Sequence, residues 1–151
     1  MAEIEIVPAT AAHARALGCG LRPADRREIV ICGLDPERTV TLSFEHSVLR
    51  RTALVGGRVA AMWGVTGTPL GIVGCPWLLT GLPALEVSPI RFARLYKAQV
   101  ADMLRLFPLL ENYVDASYAG AIRMLELAGF RLDDPAPYVA GSSFRRFEAR
   151  V

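Results

Sequence analysis

The chain is poor in the residues that build metal, disulfide and phosphate sites. Its three cysteines, Cys19, Cys32 and Cys75, form no Cys-x-x-Cys pair and leave an odd count. That excludes a disulfide framework, and a reducing, cytoplasmic setting is the simplest expectation. Only two histidines occur, His13 and His46, and neither joins a cluster with metal-ligand spacing. The single lysine, Lys97, follows no glycine-rich loop, which excludes a P-loop; a Gly-x-Ser-x-Gly elbow is also missing. No apolar run reaches the ~18 residues that cross a bilayer, because glycine and proline interrupt the best stretch, Leu70 to Leu79. The opening Met1-Ala2-Glu3-Ile4-Glu5 has no basic segment ahead of an apolar one, so no secretory signal is expected. A net charge of +2 is too small to imply nucleic-acid binding.

What remains is an ordinary globular composition. The chain has 151 residues, 52% apolar and 21% charged, which suits a single domain over 1–151. Ile4-Glu5-Ile6-Val7 alternates as a strand does. Thr10 can cap a short helix reaching Leu17, and His13 and His46, both in helical stretches, are expected to be solvated or capping. Arg22-Pro23-Ala24-Asp25 and Asp35-Pro36 open two more helices, the latter expected to run to about Leu49. Thr52–Val55 and Arg58–Trp63 flank Gly56-Gly57, the pattern of a hairpin with a type I′ turn. Leu70 to Thr80 reads as a third antiparallel strand, in which Cys75-Pro76 implies an edge kink or a bulge. Ser88-Pro89 then starts a long helix whose stripe is Phe92, Leu95, Tyr96, Val100, Met103 and Phe107. Arg91, Arg94, Lys97 and Arg105 fall on its opposite, solvated side. Asn112-Tyr113-Val114 is a short strand. Asp115 or Ser117 can cap a last helix, ended by Gly129. Phe130-Arg131-Leu132 and Tyr138 to Ala149 supply the final strands.

The order predicts an α+β fold, a central, mostly antiparallel mixed sheet flanked by helices. It resembles the Gcn5-related N-acetyltransferase (GNAT) fold. Ala121-Ile122-Arg123-Met124-Leu125-Glu126-Leu127-Ala128-Gly129-Phe130 is similar to the GNAT segment N-x-x-A-x-x-L-Y-E-K-L-G-F, matching at Ala121, Glu126, Gly129 and Phe130. Cys75-Pro76-Trp77-Leu78-Leu79-Thr80, the basic helix Arg91 to Arg105, Asn112-Tyr113-Val114 and Ile122-Arg123 with Leu125 resemble a second, smaller family. It is the internal virion protein A family of podovirus-type phages, itself acetyltransferase-like in fold. That resemblance runs from about Gly74 to Phe130.

The two resemblances imply different functions. A GNAT enzyme seats the acetyl-CoA diphosphate on a glycine-rich loop and the amides of a helix N-terminus. The corresponding stretch here, Leu85 to Phe92, has no glycine, and Pro89 removes a donor. The position of the pantetheine-holding Asn is Tyr118, and that of the thiolate-protonating Tyr is Leu125. Tyr118 as a proton donor and Glu86 as a base are the catalytic candidates, each against the reading of a packing residue or a surface charge. If acetyl-CoA binds, Thr80, Val87, Ser88, Arg91, Arg94 and Asn112 are the expected contacts. The phage resemblance implies a protein without ordinary acetyl transfer and with no required cofactor. It would work in virion morphogenesis or internal-core assembly through phage structural or assembly proteins, in the host cytoplasm or in the virion. Self-association is an alternative partner mode; neither membrane nor specific nucleic acid is expected.

Overall fold

A computed structural model describes residues 3–68, 70–139 and 141–151. The chain divides into two compact units. The first comprises the chain up to Thr66 together with Trp77–Val87, and the second Gly67–Pro76 with Ser88–Val151.

In the first unit, β1 (Ile4–Pro8) leads into three helices, α1 (Ala11–Gly20), α2 (Pro23–Ile31) and α3 (Pro36–His46). Thr10 and His13 form the capping box of α1: each side chain takes the other's backbone N–H at 3.2 Å. Proline opens α2 and α3, as the sequence predicts, and Asp35 caps α3 by accepting from Arg38 N at 2.9 Å. The strand β2 (Ser47–Val55) then pairs antiparallel with both β1 and β3 (Arg58–Thr66). Gly56 and Gly57 have φ of 57° and 76°, the left-handed pair that a type I′ turn requires. The third helix stops three residues short of the expected Leu49. Ser47 and Leu49 find strand partners in Thr66 and Val65, and that pairing outweighs local helix preference. Leu17, Val40 and Met62 are each 1% exposed or less and centre the core of this unit. Each such side chain contributes about 1.5–3 kcal/mol by leaving water.

One close approach in this unit depends on a missing side chain. Trp77 lies against Gly64 and donates its indole N–H to Ser47 Oγ at 2.6 Å; Ser47 Oγ donates in turn to Ser43 O at 2.6 Å. A Cβ on Gly64 would sit 2.9 Å from both the indole nitrogen and Ser47 Oγ, and closer still to Leu49 O.

β4 (Val73–Thr80) gives its first half to the second unit and its second half to the first. It begins later than the expected Leu70, because Gly71 N bonds Thr68 O at 2.9 Å in a turn. After a 3-10 turn at Leu82–Glu86 come α4 (Pro89–Leu106), β5 (Leu109–Asp115), α5 (Ala119–Leu127), β6 (Arg131–Leu132), β7 (Ala136–Pro137) and β8 (Ser143–Arg150). In the second unit the strand order is β4-β5-β8-β6, with β7 also on β8. The β4/β5 pairing is parallel, and the β1/β2, β2/β3, β5/β8, β6/β8 and β7/β8 pairings are antiparallel. The expected strand over 138–149 begins later, as β8 at Ser143, because its first residues form a turn; the two-residue β7 precedes it. Ser142 N closes that turn on Val139 O at 2.8 Å, and Ala140 lies outside the described residues. The helix α4 buries Ala93, Tyr96, Val100 and Met103, at spacings of three and four. One sheet face supplies Leu110, Val114 and Phe147, and Phe147 meets Phe130 edge-on at 5.0 Å. The opposite face, displaced by one residue along each strand, carries Glu111, Tyr113, Arg146 and Glu148.

Neither expected residue caps α5. Asp115 Oδ1 instead accepts from Ser117 N and Oγ at 2.9 and 2.8 Å, and Tyr118 occupies the N-cap without a side-chain cap. The two polar residues satisfy each other one step too early to reach the helix. No helix among the described residues is long and apolar enough to cross a membrane.

Candidate functional site

The segment that would hold a diphosphate is the stretch from the end of β4 to the start of α4. In the first unit three of its amides are spent on backbone carbonyls. Gly81 N donates to Ala60 O at 2.8 Å, Ala84 N to Gly81 O at 3.0 Å and Val87 N to Ala84 O at 3.2 Å. Pro83 has no N–H to offer. The turn is also tied down from outside, because Glu86 Oε2 accepts from Arg58 at 2.5 Å. Glu86, the candidate base, is thus an ion-paired, half-exposed carboxylate at the end of a 3-10 turn. Val87, expected to touch a cofactor, is 7% exposed and spends its N–H within the turn.

Thr80 is held from a direction the sequence did not reveal. Asp25, a residue of the first turn of α2, is buried and accepts both Thr80 N–H and Thr80 Oγ–H at 2.5 Å. Thr80 O accepts from Arg22 N at 2.9 Å, and Leu21 makes an antiparallel bridge with Gly81. Asp25 is legible in the sequence only as an acidic residue near a helix start. No linear signal connects it to a threonine 55 positions away.

In the second unit, Ser88 caps α4 with a long contact to Arg91 N, 3.5 Å, and Phe92 N bonds Ser88 O at 3.0 Å. Pro89 is the first helical residue, so Ile90 is the one residue of this first turn whose N–H finds no partner among the described residues. Ser88, Arg91 and Arg94 are brought together on the first turns of α4, with Arg91 half-buried and Arg94 exposed. Asn112 stands on β5, where it does a different job from the expected one. The β4/β5 register covers Val73↔Leu109 and Gly74↔Leu110. Beyond it, Asn112 Nδ2 donates to Pro76 O at 2.7 Å and Asn112 Oδ1 accepts from Tyr113 N at 2.8 Å. A side-chain amide thus replaces the backbone ladder where Pro76 interrupts it, which answers the expected irregularity at Cys75-Pro76.

Tyr118 is half-buried at the start of α5, its ring edge 3.7 Å from where a Gly120 Cβ would be. Leu125 is 6% exposed and packs in the core. An apolar side chain there has no proton to give. Tyr96, on the buried stripe of α4, is 3% exposed, and burial pushes its phenol well above the usual tyrosine range. No group of three or more His, Cys, Asp or Glu among the described residues could hold a metal ion.

No family model and no curated protein sequence matches the chain. Solved structures do. The GNAT-family acetyltransferase from Streptococcus pneumoniae superposes with a TM-score of 0.66 at 12% identity, over 99% of both chains. The ribosomal-protein-alanine N-acetyltransferase of Brucella melitensis gives 0.68 at 14% identity, over 97% of this chain and 99% of that one. The yncA protein of Salmonella typhimurium, solved with its cofactor acetyl-CoA, gives 0.65 at 9% identity, over 97% and 93%. At these identities the likeness is one of fold. The fold of this chain is the GNAT acetyltransferase fold.

Proposed function

We propose that this chain uses the GNAT scaffold without ordinary acetyl transfer and serves virion morphogenesis or internal-core assembly through protein contacts. The observation that carries the first part is the turn after β4, whose Gly81, Ala84 and Val87 amides are bonded within the protein. A diphosphate needs several such donors at once. The same turn points apolar groups outward: Leu82 and Leu85 are 54% and 63% exposed, and residues three apart on a 3-10 turn lie above one another. A leucine pair is suited to a protein partner rather than to an anion. The virion role rests only on the sequence resemblance of Gly74 to Phe130 to the podovirus internal virion protein A family; no family model matches the chain.

A second reading, an active acetyl-CoA-dependent N-acetyltransferase, is favoured by one feature. Ser88, Arg91 and Arg94 stand together on the first turns of α4, where a helix N-terminus and two cations suit an anion. Ser88, Arg91 and Arg94 would then face the phosphates, with Tyr118 as the proton donor.

Calorimetric titration with acetyl-CoA separates the two. The first reading expects no heat at millimolar ligand. Micromolar binding, abolished by Arg91→Glu, would overturn it and establish the second. For the assembly role, mass spectrometry of immature and mature particles should find the chain. Its absence from both, with normal particle yield after gene deletion, would reject that role.

A further inference from the structure

The free edge of β4 is not simply vacant; part of it is occupied by the chain itself. Alternate residues of a strand turn their N–H and C=O to opposite sides. Gly81 N reaches β3 at Ala60 O, so Thr80, one residue earlier, presents its N–H and C=O on the edge away from β3. Both groups are filled by the α1–α2 connection, through Arg22 N and the Asp25 carboxylate. Leu78 shares this side of the strand by the two-residue period and lies beyond the β4/β5 register, which covers Val73 and Gly74.

We propose that the α1–α2 connection, Leu21 to Asp25, is an intramolecular strap that occupies the β4 edge in place of an extended, amide-bearing ligand. The inference rests on the closed-turn reading above and adds a cause: the edge is blocked in cis, in addition to being poor in phosphate donors. The strap is anchored at three points, the Arg22 N–H, the Asp25 carboxylate and the Leu21↔Gly81 bridge. Asp25 is the strongest of them. It takes two hydrogen bonds from one residue and sits in the first turn of α2, where the helix dipole favours a carboxylate.

Two variants release the strap differently. Asp25→Ala removes the carboxylate. Arg22→Pro deletes the N–H that meets Thr80 O, and Arg22→Ala controls for loss of the side chain. The backbone already suits proline, with φ −60° at Arg22 and the preceding Leu21 at φ −58°, ψ 144°. The probes are pantetheine, which has the amides but no phosphate, and acetyl-CoA. Released variants with unchanged circular dichroism are expected to bind pantetheine at least tenfold more tightly than the original chain. In Asp25→Ala the Thr80 amide should exchange with solvent faster, while Gly81, bonded to β3, stays protected. Faster Thr80 exchange with no gain in pantetheine affinity would overturn the strap, as would equal affinity in all three proteins. Tight acetyl-CoA binding by the original chain is a separate result, which would sink the closed-turn reading. Should Asp25→Ala fail to fold, Asp25→Asn, which keeps the shape but removes the charge that strengthens both bonds, takes its place.

Discussion

Gly64→Ala is expected to destabilise the protein by about 1–3 kcal/mol, the usual cost of forcing a carbon into packed surroundings. In a chain of this length that lowers the melting temperature by roughly 2–4 °C per kcal/mol. The added Cβ meets Leu49 O on one strand, and Ser47 Oγ and the Trp77 indole nitrogen at 2.9 Å. None of these can retreat cheaply. Leu49 O belongs to backbone paired with β3, and the indole and the hydroxyl are bonded to each other. Moving Trp77 away breaks its bond to Ser47 Oγ and leaves the hydroxyl with Ser43 O alone. Gly20→Ala is the matched control. No atom lies within 4 Å of its Cβ position and the residue ends α1, so its stability should stay the same or rise slightly. Thermal unfolding followed by circular dichroism measures both. Equal midpoints for the two variants would contradict the contact described at Gly64.

The second large effect lies on the charged face of the second unit. Glu148 and Glu111 are direct antiparallel neighbours, an arrangement that repels unless a cation intervenes. Arg146 bonds both, Arg131 and Arg150 also bond Glu148, and Asp133 lies 3.5 Å from Arg146. The hydrogen bond from Arg131, then those from Arg146 and Arg150, hold the Glu148 carboxyl down from 4.5 to about 2. A carboxyl depressed in the folded state stabilises it above the unfolded value and stops doing so as pH falls toward the folded value. Stability from this group is therefore complete above about pH 5 and is lost between about pH 4.5 and 2. Glu148→Gln should lower the melting temperature at pH 7 and flatten its decline over that acid window. Arg146→Met should cost more at pH 7 than Arg131→Met or Arg150→Met, because it alone leaves Glu111 and Glu148 facing each other. A melting temperature indifferent to Glu148→Gln at pH 7 would contradict the network.

Much of this fold was legible in the chain because its signals are local. Thr10, Pro23, Pro36, Ser88-Pro89 and Gly56-Gly57 mark their own helix starts and turn, and all lie where the sequence puts them. The α+β class followed from that order. The errors arose where long-range pairing decides. Ser47 to Leu49 leave a helical stretch for β3, and Ala136-Pro137 form a two-residue strand only because Ser143 and Phe144 lie opposite. The candidate site was half legible. The lack of glycine from Leu85 to Phe92 and the leucine at position 125 are visible in the sequence, and the structure adds a buried Leu125 and a turn with three amides bonded to backbone carbonyls. What could not be read were the partners. Asp25 under Thr80, Arg58 on Glu86 and Asn112 on Pro76 are tertiary contacts between residues 28 to 55 apart. Each one gives a structural duty to a residue that its type alone suggests as a ligand or base.

The most direct measurement is an amide-resolved NMR titration of the whole chain with acetyl-CoA, following residues 81 to 91. The account predicts that the Gly81, Ala84 and Val87 resonances stay in place at millimolar cofactor, since their protons are held by Ala60, Gly81 and Ala84 carbonyls. Saturable, micromolar shifts of those three amides together with Ile90 and Arg91 would show a diphosphate seated in the turn, and would contradict it.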